Sequence, residues 1–173
     1  MTNYILNIVV LATFSMLIHT TVAHYDYIIA EKFGPGATAV AVYTAPGDGR
    51  ATVDLINSNT GDILLHMDYR FELGRNPSTG ASWEDILILN SKFDGKWGVE
   101  QHVKEVYYTP GSTVTVGARA GEDSFTIVIN GQELATYKYR GDADASSFDN
   151  LKIGFLAEDC GGCELKGLGV RYG

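Results

Sequence analysis

Residues 63–72 read Ile63-Leu64-Leu65-His66-Met67-Asp68-Tyr69-Arg70-Phe71-Glu72, and their alternation decides the fold class. Successive side chains on a β-strand point to opposite faces. Leu65, Met67, Tyr69 and Phe71 are expected in a core, and His66, Asp68, Arg70 and Glu72 on the other face. Downstream, Trp97-Gly98-Val99-Glu100-Gln101-His102 repeats the pattern and sets Glu100 beside His102. Between the two, the apolar run Ile86 to Leu89 ends on Asn90. Groups that donate and accept, a charged pair and an exposed tryptophan suit a sugar, with its hydroxyl rim and weakly apolar C–H face. A solvated sheet face is the plain alternative, since alternation usually means that.

The rest of the chain from His24 also reads as short strands separated by turns, with no amphipathic helix. Strands are expected over Tyr27 to Lys32, Ala39 to Thr44, Ala51 to Asn57, Val103 to Tyr108, Thr113 to Arg119, Phe125 to Asn130 and Leu134 to Arg140. Leu151 to Leu156 and Leu165 to Arg171 close the set, with a short helical turn at Ser146-Ser147-Phe148. Asn130-Gly131 is the strongest hairpin signal, because both central residues of a type I′ turn need positive φ. Regular short strands of this kind predict an all-β, two-sheet antiparallel sandwich. A chain of 173 residues with 45% hydrophobic content supports one core. Net charge is −8, so no electrostatic footprint for nucleic acid or anionic membrane is present.

Residues 1–23 differ in character from the rest of the chain. Ile5 to Ile18 is mostly apolar and short for a membrane span, and Thr21-Val22-Ala23 offers small residues before a cleavage point. These features predict a secretory signal peptide over 1–23 and a domain over 24–173, although the segment before the apolar run lacks Lys and Arg. An uncleaved anchor or a buried strand is the alternative. Cleavage implies a secreted, extracellular protein with no membrane insertion. Cys160 and Cys163 are spaced Cys-Gly-Gly-Cys between two terminal strands. A local disulfide suits that context, whereas a redox dithiol would need a strand-to-helix setting.

His66-x-Asp68-x-Arg70, then Asn90, then Trp97-x-x-Glu100-x-His102, resembles the galectins. Their pattern is His-x-Asn-x-Arg, an Asn after the next strand, and Trp-x-x-Glu-x-Arg. The resemblance runs through Leu89-Asn90-Ser91-Lys92, Asp94-Gly95-Lys96-Trp97-Gly98 and Pro110-Gly111 to Ile153-Gly154-Phe155-Leu156-Ala157-Glu158-Asp159. It implies a jelly-roll, concanavalin-like sandwich and a metal-independent lectin for β-galactoside glycans on glycoproteins or glycolipids. It assigns the axial O4 of galactose to His66, Asp68 and Arg70, and O6 to Asn90 and Glu100. Trp97 would stack on the apolar face of the sugar, and His102 stands where an Arg contacts the adjoining one. Oligomeric state is left open, although related lectins often pair.

Several positions depart from the family. Asp68 replaces the usual Asn with a group that only accepts when ionised. His102 replaces Arg, and Gly74 takes the place of a frequent His. The loop Leu73 to Glu84 looks long, and Arg75, Asn76, Ser78 and Trp83 in it either wall an extended subsite or belong to a tolerated insertion. A secretory signal is itself unusual in this family.

No enzyme is expected. Asp68 and Glu100 are the candidate carboxylate pair for glycoside hydrolysis, and Arg70 between them would keep both ionised, leaving no general acid. A copper enzyme would need His24 as a new amino terminus, with His66 or His102 beside it. No acidic cluster resembles a calcium loop, and no cofactor is implied. The remaining contrast is between a lectin and a galectin-like scaffold that has lost sugar binding.

Overall fold

The structure is a computed structural model that describes residues 22–29, 31–45, 49–70, 86–103, 106, 108–109, 111–141, 143, 145–156 and 163–172. Its strands are β1 (Val22–Ile28), β2 (Thr38–Thr44), β3 (Arg50–Ile56), β4 (Ile63–Arg70), β5 (Ile86–Phe93) and β6 (Lys96–Trp97). They continue with β7 (Gln101–Val103), β8 (Thr113–Ala120), β9 (Ser124–Ile129), β10 (Gln132–Lys138), β11 (Asn150–Leu156) and β12 (Leu165–Arg171). A 3-10 turn covers Ala145–Ser147, where the sequence predicts one.

The expected two-sheet antiparallel sandwich forms. One sheet runs β1-β11-β3-β4-β5-β6, with β7 also on β5, and the second runs β10-β9-β8-β2-β12. Alternation places every second residue between them. Leu65, Met67 and Tyr69 of β4, Val53 and Leu55 of β3, and Leu87 and Leu89 of β5 are buried. Opposite them lie Ala41 and Tyr43 of β2, Val114 and Val116 of β8, and Phe125 and Ile127 of β9. Tyr43 meets Phe155 of β11 edge to face across the interior, with ring centroids 5.5 Å apart. Full burial of each large apolar side chain contributes roughly 1.5–3 kcal/mol, so this layer holds the sheets together.

The β9–β10 hairpin turns at Asn130 and Gly131, with φ of 50° and 83°, as a type I′ turn requires. Asp94 and Gly95 make the same kind of turn between β5 and β6, with φ of 50° and 75°.

Three strand expectations need correction. The first strand is Val22–Ile28 rather than Tyr27 to Lys32, because β1 pairs along β11 from Val22↔Leu156 to Ile28↔Asn150. The expected cleavage point after Ala23 therefore falls inside β1. The stretch from Trp97 to His102 is not one strand: β6 stops at Trp97 and β7 begins at Gln101. Between them the carbonyls of Gly98 and Val99 accept side-chain donors instead of ladder partners. Finally, only Val103 of the stretch Val103 to Tyr108 lies in a described strand. Phe71, Glu72, the 73–84 loop and Cys160 lie outside the described residues, and with Cys160 so does the expected pairing to Cys163.

Candidate functional site: a polar groove on the seven-stranded sheet

Strand register, rather than sequence distance, composes the outer face of the seven-stranded sheet. Asp54 of β3 lies opposite His66 of β4, and His66 opposite Asn90 of β5. One row along, Thr52, Asp68, Ile88 and His102 align across β3, β4, β5 and β7. A third row brings Arg50 opposite Arg70. Directly opposed side chains sit about 4.5–5.5 Å apart at Cβ, so each row is a line of contacts.

His66, Asp68, Arg70, Asn90, Trp97 and Glu100 line one cavity of about 450 Å³, together with Arg50, Ile88 and Gly98. Six of the seven residues singled out from the sequence therefore share one site. His102 is not part of this lining; its Nε2 lies 3.2 Å from Glu100 Oε2, and both side chains are exposed. A larger cavity of about 550 Å³ lies elsewhere, lined largely by Gly34, Pro35, Gly36 and Gly121 with Lys32 and Glu122. None of the predicted residues touches it.

Trp97 is half-exposed at 50%, against the burial usual for tryptophan. The Asp94-Gly95 turn lifts it to the rim, and two neighbours hold the indole. The His66 ring centroid is 4.9 Å away, and Lys92 Nζ lies 5.7 Å from the indole centroid.

His66 is oriented by a residue that the sequence pattern does not reveal. Its Nδ1 contacts Asp54 Oδ1. An ionised carboxylate only accepts, so Nδ1 donates, and in the neutral ring Nε2 is left as an acceptor.

Asp68 proves to be almost wholly buried, at 1% exposure, although it stands on the groove face. Arg50 grips it with two nitrogens: Nε donates to Oδ1 at 2.9 Å, and Nη2 contacts Oδ2. Arg70 Nε donates to the same Oδ2 at 3.0 Å. Burial pushes the Asp68 carboxyl up, but the hydrogen bonds and charges of Arg50 and Arg70 outweigh it and hold the pKa below the ordinary value. Arg70, expected to keep Asp68 ionised, is joined in this by a second guanidinium, that of Arg50. Arg50 and Asp54 escape a sequence reading because they lie 18 and 12 residues from their partners. Only the antiparallel β3–β4 register, set by the Asn57 to Asp62 turn, brings them together.

Asn90 is also buried, at 4% exposure, and its amide is fully oriented. Oδ1 accepts from the Ser91 backbone N–H at 2.8 Å and from Arg140 Nη1 at 3.1 Å, while Nδ2 donates to the Gly98 carbonyl at 3.2 Å.

A β-sandwich whose outer sheet face joins a half-exposed indole to a row of fixed polar groups defines a sugar-binding sandwich. Comparison with known proteins agrees. The sequence model of a family described as Galactoside-binding lectin matches residues 24–156. A Galactose-binding lectin from Chondrilla caribensis is 52% identical over 114 residues, covering 66% of this chain and 80% of that one. Galectin b from Aplysina lactuca is 40% identical over 126 residues, covering 70% of this chain and 83% of the relative. Among solved structures, a tetrameric galectin from the ball sponge Cinachyrella sp. superposes with a TM-score of 0.71 at 29% identity, over 87% of this chain and 100% of that one. The chain belongs to the galectin family.

Proposed function

We propose that this protein is a lectin that binds β-galactoside glycans in the groove beside Trp97, without a metal and without catalysis. The reading rests on one observation above the rest: His66, Asp68, Arg70, Asn90, Trp97 and Glu100 line a single cavity. Family membership and the name of the Chondrilla relative support the same ligand class.

The chemistry comes from the valences. Galactose with an axial O4 keeps one face flat and apolar, and that face covers the indole of Trp97. O4 then donates to His66 Nε2, the nitrogen left as acceptor by Asp54, and accepts from Arg70. O6 accepts from Asn90 Nδ2 and donates to Glu100. Glucose, with an equatorial O4, reaches the indole or the polar row but not both. Hydrolysis lacks support, because Asp68 is held as a carboxylate by two guanidinium groups and is a poor general acid.

We also assign residues 1–23 to a secretory signal, 24–173 to the mature lectin domain, and Cys160 and Cys163 to a disulfide in an extracellular protein. Pairing of subunits would turn weak single-site binding into cross-linking, and the Cinachyrella galectin is tetrameric.

The deciding experiment is retention on immobilised lactose in the presence of a chelator. Elution by free lactose and not by cellobiose is the expected result. Flow-through of folded protein would overturn the reading.

A further inference from the structure

Arg140 lies just beyond β10, on the five-stranded sheet, yet its guanidinium reaches the groove edge of the other sheet. Nη1 donates to Asn90 Oδ1 at 3.1 Å and Nη2 donates to the Val99 carbonyl. Its Cζ sits 5.6 Å from the ring centroid of Tyr137, whose hydroxyl donates to Ser91 Oγ at 3.1 Å. A third bridge between these edges runs from Gln101 Nε2 to the Thr136 carbonyl at 3.1 Å.

The amide of Asn90 can take only one orientation here. Both groups on Oδ1, a backbone N–H and a guanidinium, can only donate, and the group on Nδ2, a carbonyl, can only accept. Both lone pairs of Oδ1 are therefore engaged, and one Nδ2 hydrogen is engaged. What Asn90 can offer a ligand is its second N–H, so the ligand oxygen there must accept.

Gly98 leaves the space that the Arg140 guanidinium fills. A Cβ placed on Gly98 would overlap the Arg140 guanidinium. Gly98 is not among the positive-φ residues, so an alanine there meets only the end of the Arg140 side chain and would push it aside.

We propose that Arg140 is a positioning residue for sugar binding, which locks the Asn90 amide as a donor toward the ligand. The proposal rests on the galactoside reading of the groove, with Asn90 at O6. Without Arg140, the amide keeps only the Ser91 N–H on Oδ1 and the Gly98 carbonyl on Nδ2, both uncharged, and a flipped amide would turn an acceptor toward O6.

The test compares methyl β-D-galactopyranoside with its 6-deoxy analogue by competition titration. Wild type should bind the 6-deoxy sugar roughly tenfold more weakly, the loss typical of hydrogen bonds to one hydroxyl. Arg140→Met keeps the stem over Tyr137 and should bind the galactoside about tenfold more weakly while binding the 6-deoxy sugar as wild type does. Arg140→Lys, able to reach one of the two acceptors, should fall between. Gly98→Ala displaces the guanidinium without removing it and should reproduce Arg140→Met, with the double variant no worse than either single one. That variant decides the matter if Arg140→Met fails to fold. Equal losses for both sugars, or variants that discriminate as well as wild type, overturn the proposal while leaving the galactoside reading intact. A wild type that binds both sugars equally removes Asn90 from O6, and the proposal falls with it.

Discussion

The two ends of the groove are fixed by different physics. At one end Arg50, Asp68 and Arg70 form a charged triad around a carboxylate of 1% exposure. At the other, Asp54, His66 and Asn90 form a row beside Trp97, in which hydrogen bonds and a ring contact set orientation. A buried charge must be matched or it costs several kcal/mol, so the triad is a matter of stability first. The His66–Asn90 row carries less charge and can be disturbed without unfolding the sheet. The difference teaches that ligand selectivity should be sensitive at the Trp97 end and folding sensitive at the Asp68 end.

Trp97→Ala should break the comparison most visibly. Trp97 has half its surface exposed, so its loss leaves the core untouched. Lactose affinity should fall by about a hundredfold, near 3 kcal/mol, since large aromatic anchors dominate such sites. Circular dichroism and the melting temperature should not move. Unfolding of this variant would show that the indole is structural.

Asp68→Asn tests the opposite end. The change leaves two guanidinium groups facing an uncharged amide, and stability should drop by about 2 kcal/mol at neutral pH. Lactose affinity should stay within about threefold, because the carboxylate is already engaged by the arginines and Asn is the usual family residue. The pH dependence has a definite sign. Asp68 has a lowered folded-state pKa, so its stabilisation is complete above the unfolded value, near 4, and is lost as pH falls through the folded one. The stability gap between wild type and Asp68→Asn should therefore close on acidification. A gap that widens toward low pH would mean that the triad does not stabilise the charged form.

Asp54→Asn returns to the Trp97 end with a smaller effect. Asn still accepts from His66 Nδ1, but the bond loses its charge. Affinity for lactose should drop about fivefold, close to 1 kcal/mol, with little change in melting temperature. Nitrogen-15 shifts of the His66 ring report the tautomer directly, and a wild-type ring protonated only on Nε2 would contradict the orientation argued for it.

These partners also mark where a sequence can and cannot be read. The alternation from Leu65 to Arg70 places Leu65, Met67 and Tyr69 in the core correctly, because side chains on a strand alternate between its faces. The same parity places His66, Asp68 and Arg70 together, and the family pattern adds Asn90, Trp97 and Glu100. Arg50, Asp54 and Arg140 are not legible in it, since each meets its partner through register or through packing of the two sheets. Alternation carries no register. It also hides depth: Asp68 sits on the polar face, and nothing local says that two arginines close over it. The break after Trp97 has a related origin, because the Gly98 carbonyl is diverted to the Asn90 side chain of β5 and the Val99 carbonyl to Arg140 of the far sheet.

His102→Arg should have the smallest effect, and it sharpens the comparison by extending the Trp97 end outward. His102 stands where the family pattern has Arg, and it lies beside Glu100, each about half-exposed at 48%. Exposed pairs of this kind contribute about 0–1 kcal/mol. An arginine there is always charged and presents a fork that can grip Glu100 with one nitrogen and a sugar hydroxyl with another. The gain should appear only when a second sugar adjoins the galactose. Lactose affinity should rise about threefold, within the range of one exposed hydrogen bond, while methyl β-D-galactopyranoside should bind unchanged. The contrast between the two ligands carries the weight. An equal gain for both would mean that the new arginine acts on Glu100 and the galactose subsite itself, against the position of His102 outside the cavity lining. Loss of lactose binding would be more damaging, because it would make His102 a ligand contact that the adjoining sugar requires.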